Sequence, residues 1–410
     1  MSLTPVTIFT EQQPARKQRR LTTLAALLFG LAGLAAFCAL SGPGSIQGTQ
    51  FLQEEDPEIM RAYVNFVAEY GRAYSSKKHA GEKFEVFKRN YEAIKEHNKH
   101  EGVLPYAMAV NQFADMSPAE FAKLRGLEMP KVLVTETVSR VLEPAMKVHH
   151  HKHHNSGKIE VSAGQSLPES VNWFEKGAVS QPQDQGFCGS CWAFTTAATL
   201  ESLSVISGKF SYPPHFSMQQ LVDCDKSNDG CDGGWMYKAY SYTTEHGIMA
   251  LADYPYEMRT KACRYNESKA VFKNVGMVQE KNLANEALKA IVARQPVGVG
   301  IYTNDNFQFY KTGVLTEEFL KCSDAKENVN HGVTVVGYGN TKNEPQLKQW
   351  CDEYWIVRNS WGQKWGDNGF FKLCMDKTGT EMVPHGTCQL NRYPTYPTME
   401  PHAVELELLI

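Results

Sequence analysis

Gln185-Gly-Phe-Cys-Gly-Ser-Cys-Trp-Ala-Phe194 places Cys191 directly ahead of a run, Trp192 to Ile206, that reads as helix and closes at Gly208. Cys191 therefore stands at a helix N-terminus, where unpaired backbone N–H groups and the positive end of the dipole favour thiolate over thiol, pulling the pKa below a free value of ~8.5. A thiolate so placed is a nucleophile in need of a proton donor. His331, in Asn-His-Gly-Val ahead of a β-type run, can supply that proton. Asn359, in Arg-Asn-Ser-Trp-Gly362, can accept the other imidazole N–H. Taken singly, each residue has an ordinary structural reading; taken in this order, with glycines and tryptophans around them, they form a Cys–His–Asn set.

The chain around this set has 410 residues, enough for two or three domains. With 42 Lys+Arg against 45 Asp+Glu, no basic footprint points to a nucleic acid partner. Nine of the ten cysteines lie after residue 180. An odd set in an oxidising compartment suggests four disulfides and one thiol kept for chemistry. Zinc is the competing reading, yet the close pair Cys188 and Cys191 has no second pair at finger-like spacing, and nothing in the sequence calls for a metal or a cofactor.

Upstream, residues 21–40 carry no charge, and Arg16, Lys17, Arg19 and Arg20 precede them. Twenty helical residues at ~1.5 Å each span a hydrocarbon core of ~30 Å, so residues 1–20 read as a cytosolic segment and 21–40 as a type II signal anchor. A cleaved signal peptide is the alternative, although its apolar core usually runs to only ~7–15 residues. Asp56-Pro57 offers a helix start, followed at helical spacing by Ile59, Met60, Tyr63, Val64 and Val67 up to Gly71. Phe84, Phe87, Tyr91 and Ile94 make one apolar face of a second helix over residues 80–99. The pattern decays from about 130 to 165, where His149-His-His-Lys-His-His154 sits either in a plain solvated linker or in one that gains charge as pH falls. From Leu167 onward β-type runs such as Val333–Tyr338 and Tyr354–Val357 take over, and a helical half followed by a strand-rich half argues α+β.

Cys-Gly-Ser-Cys-Trp, with His331 and Asn359 lying 140 and 168 residues beyond Cys191, resembles the papain-like cysteine proteases. The resemblance extends through Gly230-Cys-Asp-Gly-Gly234, Trp361-Gly-Gln-Lys-Trp-Gly-Asp-Asn-Gly-Phe370 and Tyr396-Pro-Thr398, and looks closest to cathepsin L. It implies a papain-like two-lobed fold, with a helical left lobe and a β-barrel-like right lobe, preceded by a helical prodomain. It implies that Gln185 donates a side-chain N–H to an oxyanion hole beside the Cys191 amide, and that Trp361 shields the His331–Asn359 bond from water. The substrate cleft would be lined by Gly233, Gly234, Trp235, Met236, Gly300 and Asn330. Tyr393 would floor the pocket for the residue preceding the scissile one, disfavouring arginine there and favouring Leu or Val over Phe. Asn330 replaces an aspartate that papain and cathepsin L have in common. The resemblance also implies disulfides Cys188–Cys231, Cys224–Cys263 and Cys322–Cys388. Cys351 and Cys374 remain, bracketing a strand, turn and strand from Tyr354 to Leu373; facing residues of an antiparallel pair lie within disulfide range, so a fourth bridge is expected.

The helical region is similar to cathepsin-L-type propeptides through Phe87-x2-Asn90-x3-Ile94-x3-Asn98. It departs where the family has Glu and Arg, here His79 and Lys83, and its Gly-x-Asn-x-Phe-x-Asp box appears as Ala109-Val-Asn111-Gln-Phe113-Ala-Asp115. The implied organisation is an inhibitory prodomain with linker over residues 51–161, a peptidase domain over 162–399 and a C-terminal tail over 400–410. The tail resembles an acidic dileucine signal that this topology would leave on the lumenal side. The implied activity is endopeptidase cleavage of proteins and peptides through a Cys191 acyl-enzyme. The enzyme would be made as a membrane-anchored zymogen, like those of apicomplexan parasites, and activated at acidic pH in an endolysosomal or vacuolar lumen. An exopeptidase of the same fold and a catalytically silent binding protein are the alternatives. Asn266-Glu-Ser268 is an N-glycosylation sequon.

Overall fold

A proline at the first helical position opens α1 (Pro57–Glu69), and Asp56 accepts the Glu58 amide at 2.8 Å. In this computed structural model residues 56–100, 102–127, 167–323, 325, 328–375 and 385–399 are described. The apolar run 21–40, the His149–His154 stretch and the 400–410 tail lie outside them. The chain divides into a unit ending at Val64 and one running from Asn65 to Ile410, and the description below concerns the second.

Ser76 caps α2 (Lys77–Asn98) by accepting the His79 amide, and of the predicted stripe the helix buries Phe84, Phe87 and Ile94, while Tyr91 is half-buried. Phe66 packs on Phe87 with ring centroids 5.1 Å apart. Asn98 then takes hold of β1 (Tyr106–Met108), donating to the Met108 carbonyl at 2.7 Å and accepting its amide at 3.0 Å. A capping box made by Ser117 and Glu120 starts the short α3 (Pro118–Ala122).

The C-terminal part has a helical lobe and a strand-rich lobe. β2 (Val171–Asn172) is followed by α4 (Cys191–Ile206), buried from Cys191 through Ser204, with no polar face. Hydroxyls along it bond back to the helix's own carbonyls, Thr196 donating to that of Trp192 at 2.8 Å and Ser202 to that of Ala198 at 2.9 Å. Packed around it are α5 (Met218–Cys224) and α6 (Met236–His246), then the paired strands β3 (Ile248–Met249) and β4 (Ala270–Phe272).

β5 (Gly276–Gln279), α7 (Asn285–Val292), β6 (Val297–Ile301), β7 (Tyr310–Leu315), β8 (His331–Asn340), β9 (Glu353–Arg358), β10 (Phe370–Cys374) and β11 (Thr395–Thr398) complete the chain. The sheet runs β1-β7-β10-β9-β8-β6-β11-β5, with β2 on β8 and with β7–β10 as the parallel pair. The N-terminal segment thus contributes an edge strand, with Tyr106 opposite Gly313. Buried Glu201 of α4 and Arg358 of β9 meet at Ser180: its hydroxyl donates to Glu201 at 2.5 Å, and its carbonyl accepts from Arg358 at 3.1 Å. That link ties the helix bearing Cys191 to the strand that ends just before Asn359.

Four disulfides join Cys188–Cys231, Cys224–Cys263, Cys322–Cys388 and Cys351–Cys374, and Cys191 is the free cysteine among the described residues. The fourth pair is not the facing pair expected from strand geometry. Cys374 stands opposite Tyr354, and Cys351 lies ahead of β9 in a turn closed by its amide on the Leu347 carbonyl. That turn, rather than the ladder, brings the sulfurs together.

Candidate active site

Cys191 is the first residue of α4, with Ser190 as N-cap. His331 is the first residue of β8, opposite Ile301, and Asn359 follows the last residue of β9. The helix N-terminus of one lobe therefore meets two strand ends of the other, and all three side chains are buried. His331 Nε2 and Asn359 Oδ1 are 2.8 Å apart. This leaves Nδ1, which has no hydrogen-bond partner, as the nitrogen available to the thiol. The Trp361 ring stacks on the imidazole at 4.7 Å and 25°. Gly332 N–H donates to Cys191 Sγ at 3.3 Å.

The lowered thiol pKa expected of a helix N-terminus is not found here. Burial pushes the Cys191 thiol up to about 11, outweighing the N–H groups of Gly332 and Gly126 that point at the sulfur. Burial likewise pulls His331 down to about 4, against the Asn359 bond and with help from the Arg125 cation. Both shifts disfavour the charged thiolate–imidazolium pair, and Gly126 of the N-terminal segment is among the residues that cover the sulfur.

That segment lies directly in the cleft. Gln185 Nε2 donates to the Leu124 carbonyl at 2.8 Å, so the predicted oxyanion donor already holds a carbonyl. Gly126 passes so close that a Cβ there would fall 1.8 Å from the Gly189 oxygen. Its carbonyl accepts the Gly234 amide at 3.0 Å, and the Leu127 amide donates to the Asn330 carbonyl at 3.2 Å. Leu127 pairs in parallel with Gly234, and Gly233 beside it adopts φ 142°.

Leu127 packs in a cluster that holds several residues of the expected cleft lining. A Cβ on Gly300 would sit 2.7 Å from Leu127 and 3.1 Å from Trp235. Tyr393 meets Trp235 edge-on at 5.9 Å and is itself buried. Met236 reaches within 3.4 Å of where a Gly332 Cβ would lie. Sequence reasoning missed Val329, which would meet a Gly300 Cβ at 2.7 Å; its place two residues before His331 was the available signal. Leu124 and Leu127 carried no signal, since leucines after an apolar helix read as core.

Asn330 turns away from this pocket. Its Oδ1 accepts the Thr303 amide at 2.9 Å and hydroxyl at 3.0 Å, and its Nδ2 donates to the Thr303 carbonyl at 3.0 Å. Phe113 and Phe121 meet the Trp361 ring edge-on at 5.4 and 5.2 Å, and Gln112 donates to the Trp361 carbonyl.

The charged contacts left open by the departures at positions 79 and 83 are now placed. Lys83 bridges to Glu120 at 2.6 Å and donates to the Asp115 carbonyl at 3.1 Å, so a cation is retained there. His79 meets Ser75 at 3.1 Å and the edge of Tyr74. Asp115 pairs with Arg72 at 3.2 Å and accepts from Tyr74 at 2.9 Å. Burial raises the Glu120 carboxyl, but the Lys83 ammonium and the Ser117 donors outweigh it and hold the group below the usual range.

Among the described residues one trio offers metal-type donors, Glu317, Cys322 and Cys388, and its two sulfurs are spent in a disulfide. Asn266 is exposed and accepts from the Ser268 hydroxyl at 2.9 Å. No helix among the described residues is long and apolar enough to cross a membrane.

Residues 167–398 match the family described as papain family cysteine protease, and residues 63–121 match the cathepsin propeptide inhibitor domain. Ananain of Ananas comosus is 33% identical over 352 residues, covering 85% of this chain and 90% of that protein. The cysteine protease XCP2 of Arabidopsis thaliana is 34% identical over 381 residues, covering 91% and 96%. Among solved structures, the digestive procathepsin L2 proteinase of Tenebrio molitor larval midgut superposes with a TM-score of 0.70 at 30% identity, covering 83% of this chain and 99% of that one.

Proposed function

This chain belongs to the papain family of cysteine proteases and is made with an inhibitory propeptide, and on that premise we propose a cathepsin-L-like endopeptidase whose catalytic residues are Cys191, His331, Asn359 and Gln185. One observation carries the assignment: Gln185 holds the Leu124 carbonyl at 2.8 Å beside the Cys191 thiol, with His331 fixed on Asn359.

Once the propeptide leaves, water reaches the pair and the helix N-terminus favours the thiolate. The Cys191 proton passes to His331 Nδ1, and the sulfur attacks the substrate carbonyl carbon. The resulting oxyanion is held by the Cys191 N–H and by Gln185 Nε2, the latter already bonded to the Leu124 carbonyl. The imidazolium gives its proton to the leaving amine as the C–N bond breaks, and water then hydrolyses the acyl-enzyme. Asn359 keeps Nδ1 toward the sulfur, and the Trp361 ring keeps water from their hydrogen bond.

We further read residues 51–161 as prodomain and linker, 162–399 as the peptidase and 21–40 as a type II anchor that delivers the zymogen to an acidic endolysosomal or vacuolar lumen. Tyr393 is read as the pocket floor and Asn266 as a glycosylation site, its exposure supporting access. The test is to acidify the purified full-length chain, label it with an irreversible epoxide inhibitor, and locate the modified residue and new N-terminus by mass spectrometry. Modification of Cys191 is expected, together with hydrolysis of a peptide blocked at both ends, which an exopeptidase cannot cut. Hydrolysis by a Cys191→Ala preparation free of other proteases would overturn the assignment. Carbonate extraction tests the anchor: an unprocessed chain that begins after residue 40 refutes it.

A further inference from the structure

Arg125 stands between Leu124, whose carbonyl occupies the oxyanion donor, and Leu127, which fills the pocket of Trp235, Gly300 and Val329. Its guanidinium goes elsewhere, donating from Nη1 to the Thr303 carbonyl at 2.6 Å. Val329 and Asn330 are successive residues whose side chains serve opposite sides: Val329 walls the Leu127 pocket, whereas Asn330 holds Thr303. The Arg125 cation that Thr303 holds also acts on the His331 imidazole, which places this arm on the histidine side of the cleft, near where the imidazole must meet the leaving amine.

We propose that the Thr303 carbonyl and the Asp305 carboxylate form a leaving-side subsite that selects a basic residue, arginine above all, immediately after the scissile bond.

This deepens the peptidase reading and rests on it. The acceptor belongs to the peptidase itself. Thr303 is 1% exposed, and three hydrogen bonds to the Asn330 side chain fix its backbone and hydroxyl, so its carbonyl keeps its direction when the propeptide departs. Asp305 makes no ion pair with another described residue, is exposed, and lies two residues further along; its charge favours the Arg125 cation against the cost of burying it. An oriented carbonyl near a carboxylate suits a guanidinium: Arg125 donates to the carbonyl at 2.6 Å and, while making no ion pair with Asp305, has its charge favoured by that carboxylate. An apolar residue at this place would forgo the bond that Arg125 makes and leave the carbonyl to Asn330 Nδ2 alone, and an acidic one would face Asp305.

The full-length chain, matured by acid or limited proteolysis, is assayed on internally quenched peptides that share Leu ahead of the scissile residue and differ only in the next residue: Arg, Ala or Glu. The arginine peptide is expected to show a kcat/KM about fivefold above the alanine peptide, the ceiling for one partly exposed ion pair, and the glutamate peptide to fall below both. In Asp305→Asn the Arg:Ala ratio should fall toward one, and Asp305→Lys should reverse the order of Arg and Glu. A variant that merely misfolds lowers all three peptides together and leaves the ratio in place. Equal cleavage of Arg and Ala peptides by the unsubstituted enzyme, or a ratio unmoved by Asp305→Lys, overturns the subsite while leaving the peptidase reading intact. Failure to cut any of the three refutes the peptidase reading instead.

Discussion

Leu127→Ala removes the side chain that seals the cleft, and its effect can be sized from the structure. Leu127 is 5% exposed and packed against Trp235, Val329 and Gly300, so truncation forfeits most of the burial of three carbon atoms. At ~0.8 kcal/mol per buried carbon this is about 2–3 kcal/mol, toward the low end for a leucine-to-alanine change because the emptied pocket lies in a cleft that water can re-enter. Every 1.4 kcal/mol is tenfold, so the open state of the zymogen should become roughly 30- to 140-fold more populated. The assay is the rate at which a small alkylating reagent modifies Cys191 at neutral pH, where a thiol held near 11 and covered by the propeptide reacts only through opening. Labelling should accelerate by that factor, and Leu127→Val by less. A rate within twofold of the unsubstituted zymogen would mean that Leu127 is a passenger and that the Gly126 and Leu124 backbone contacts hold the cleft shut.

Glu120 titrates below its ordinary range, so its contribution to propeptide stability is present near neutrality and lost as pH falls through that lowered value; Glu120→Gln should therefore raise the pH at which self-processing begins, read on a gel across a pH series. Asp115→Asn should do the same by breaking the 3.2 Å pair with Arg72, and an unchanged onset would dismiss that carboxylate as a trigger. Asn330→Asp places a carboxylate beside the imidazolium of the mature enzyme, raising its pKa and moving the alkaline limb of kcat/KM upward by about half a unit to one unit; a flat profile means the charge is screened. Tyr393→Ala should deepen the Leu127 pocket and increase cleavage of peptides with Phe relative to Leu at the position preceding the scissile residue, and no gain would remove Tyr393 from the floor.

Much of this site is legible along the chain because its determinants are local. Ser190-Cys191 ahead of an apolar run, Phe84, Phe87 and Ile94 at helical spacing, Pro57 at a helix start and the β-type run after His331 each depend on neighbours within a few residues, and the structure places helices and strands there. The family resemblance then supplied long-range pairings, among them Cys188 with Cys231 and Cys322 with Cys388, that no local rule yields. What spacing could not reach is desolvation. The dipole argument for Cys191 is sound for a helix end in water, but the sulfur lies beneath Gly126, a residue 65 positions earlier, and burial outweighs every N–H pointed at it. Leu127, Val329 and Arg125 are likewise ordinary residues in the sequence that acquire a role only from what they touch. Cys351 makes the same point, since its partner is set by a turn on Leu347 and not by the ladder that Tyr354 and Cys374 share. Residue type and periodicity determined which chemistry this chain carries; the tertiary structure decided its burial and the direction in which burial moves its titration, because both depend on segments that meet only after folding.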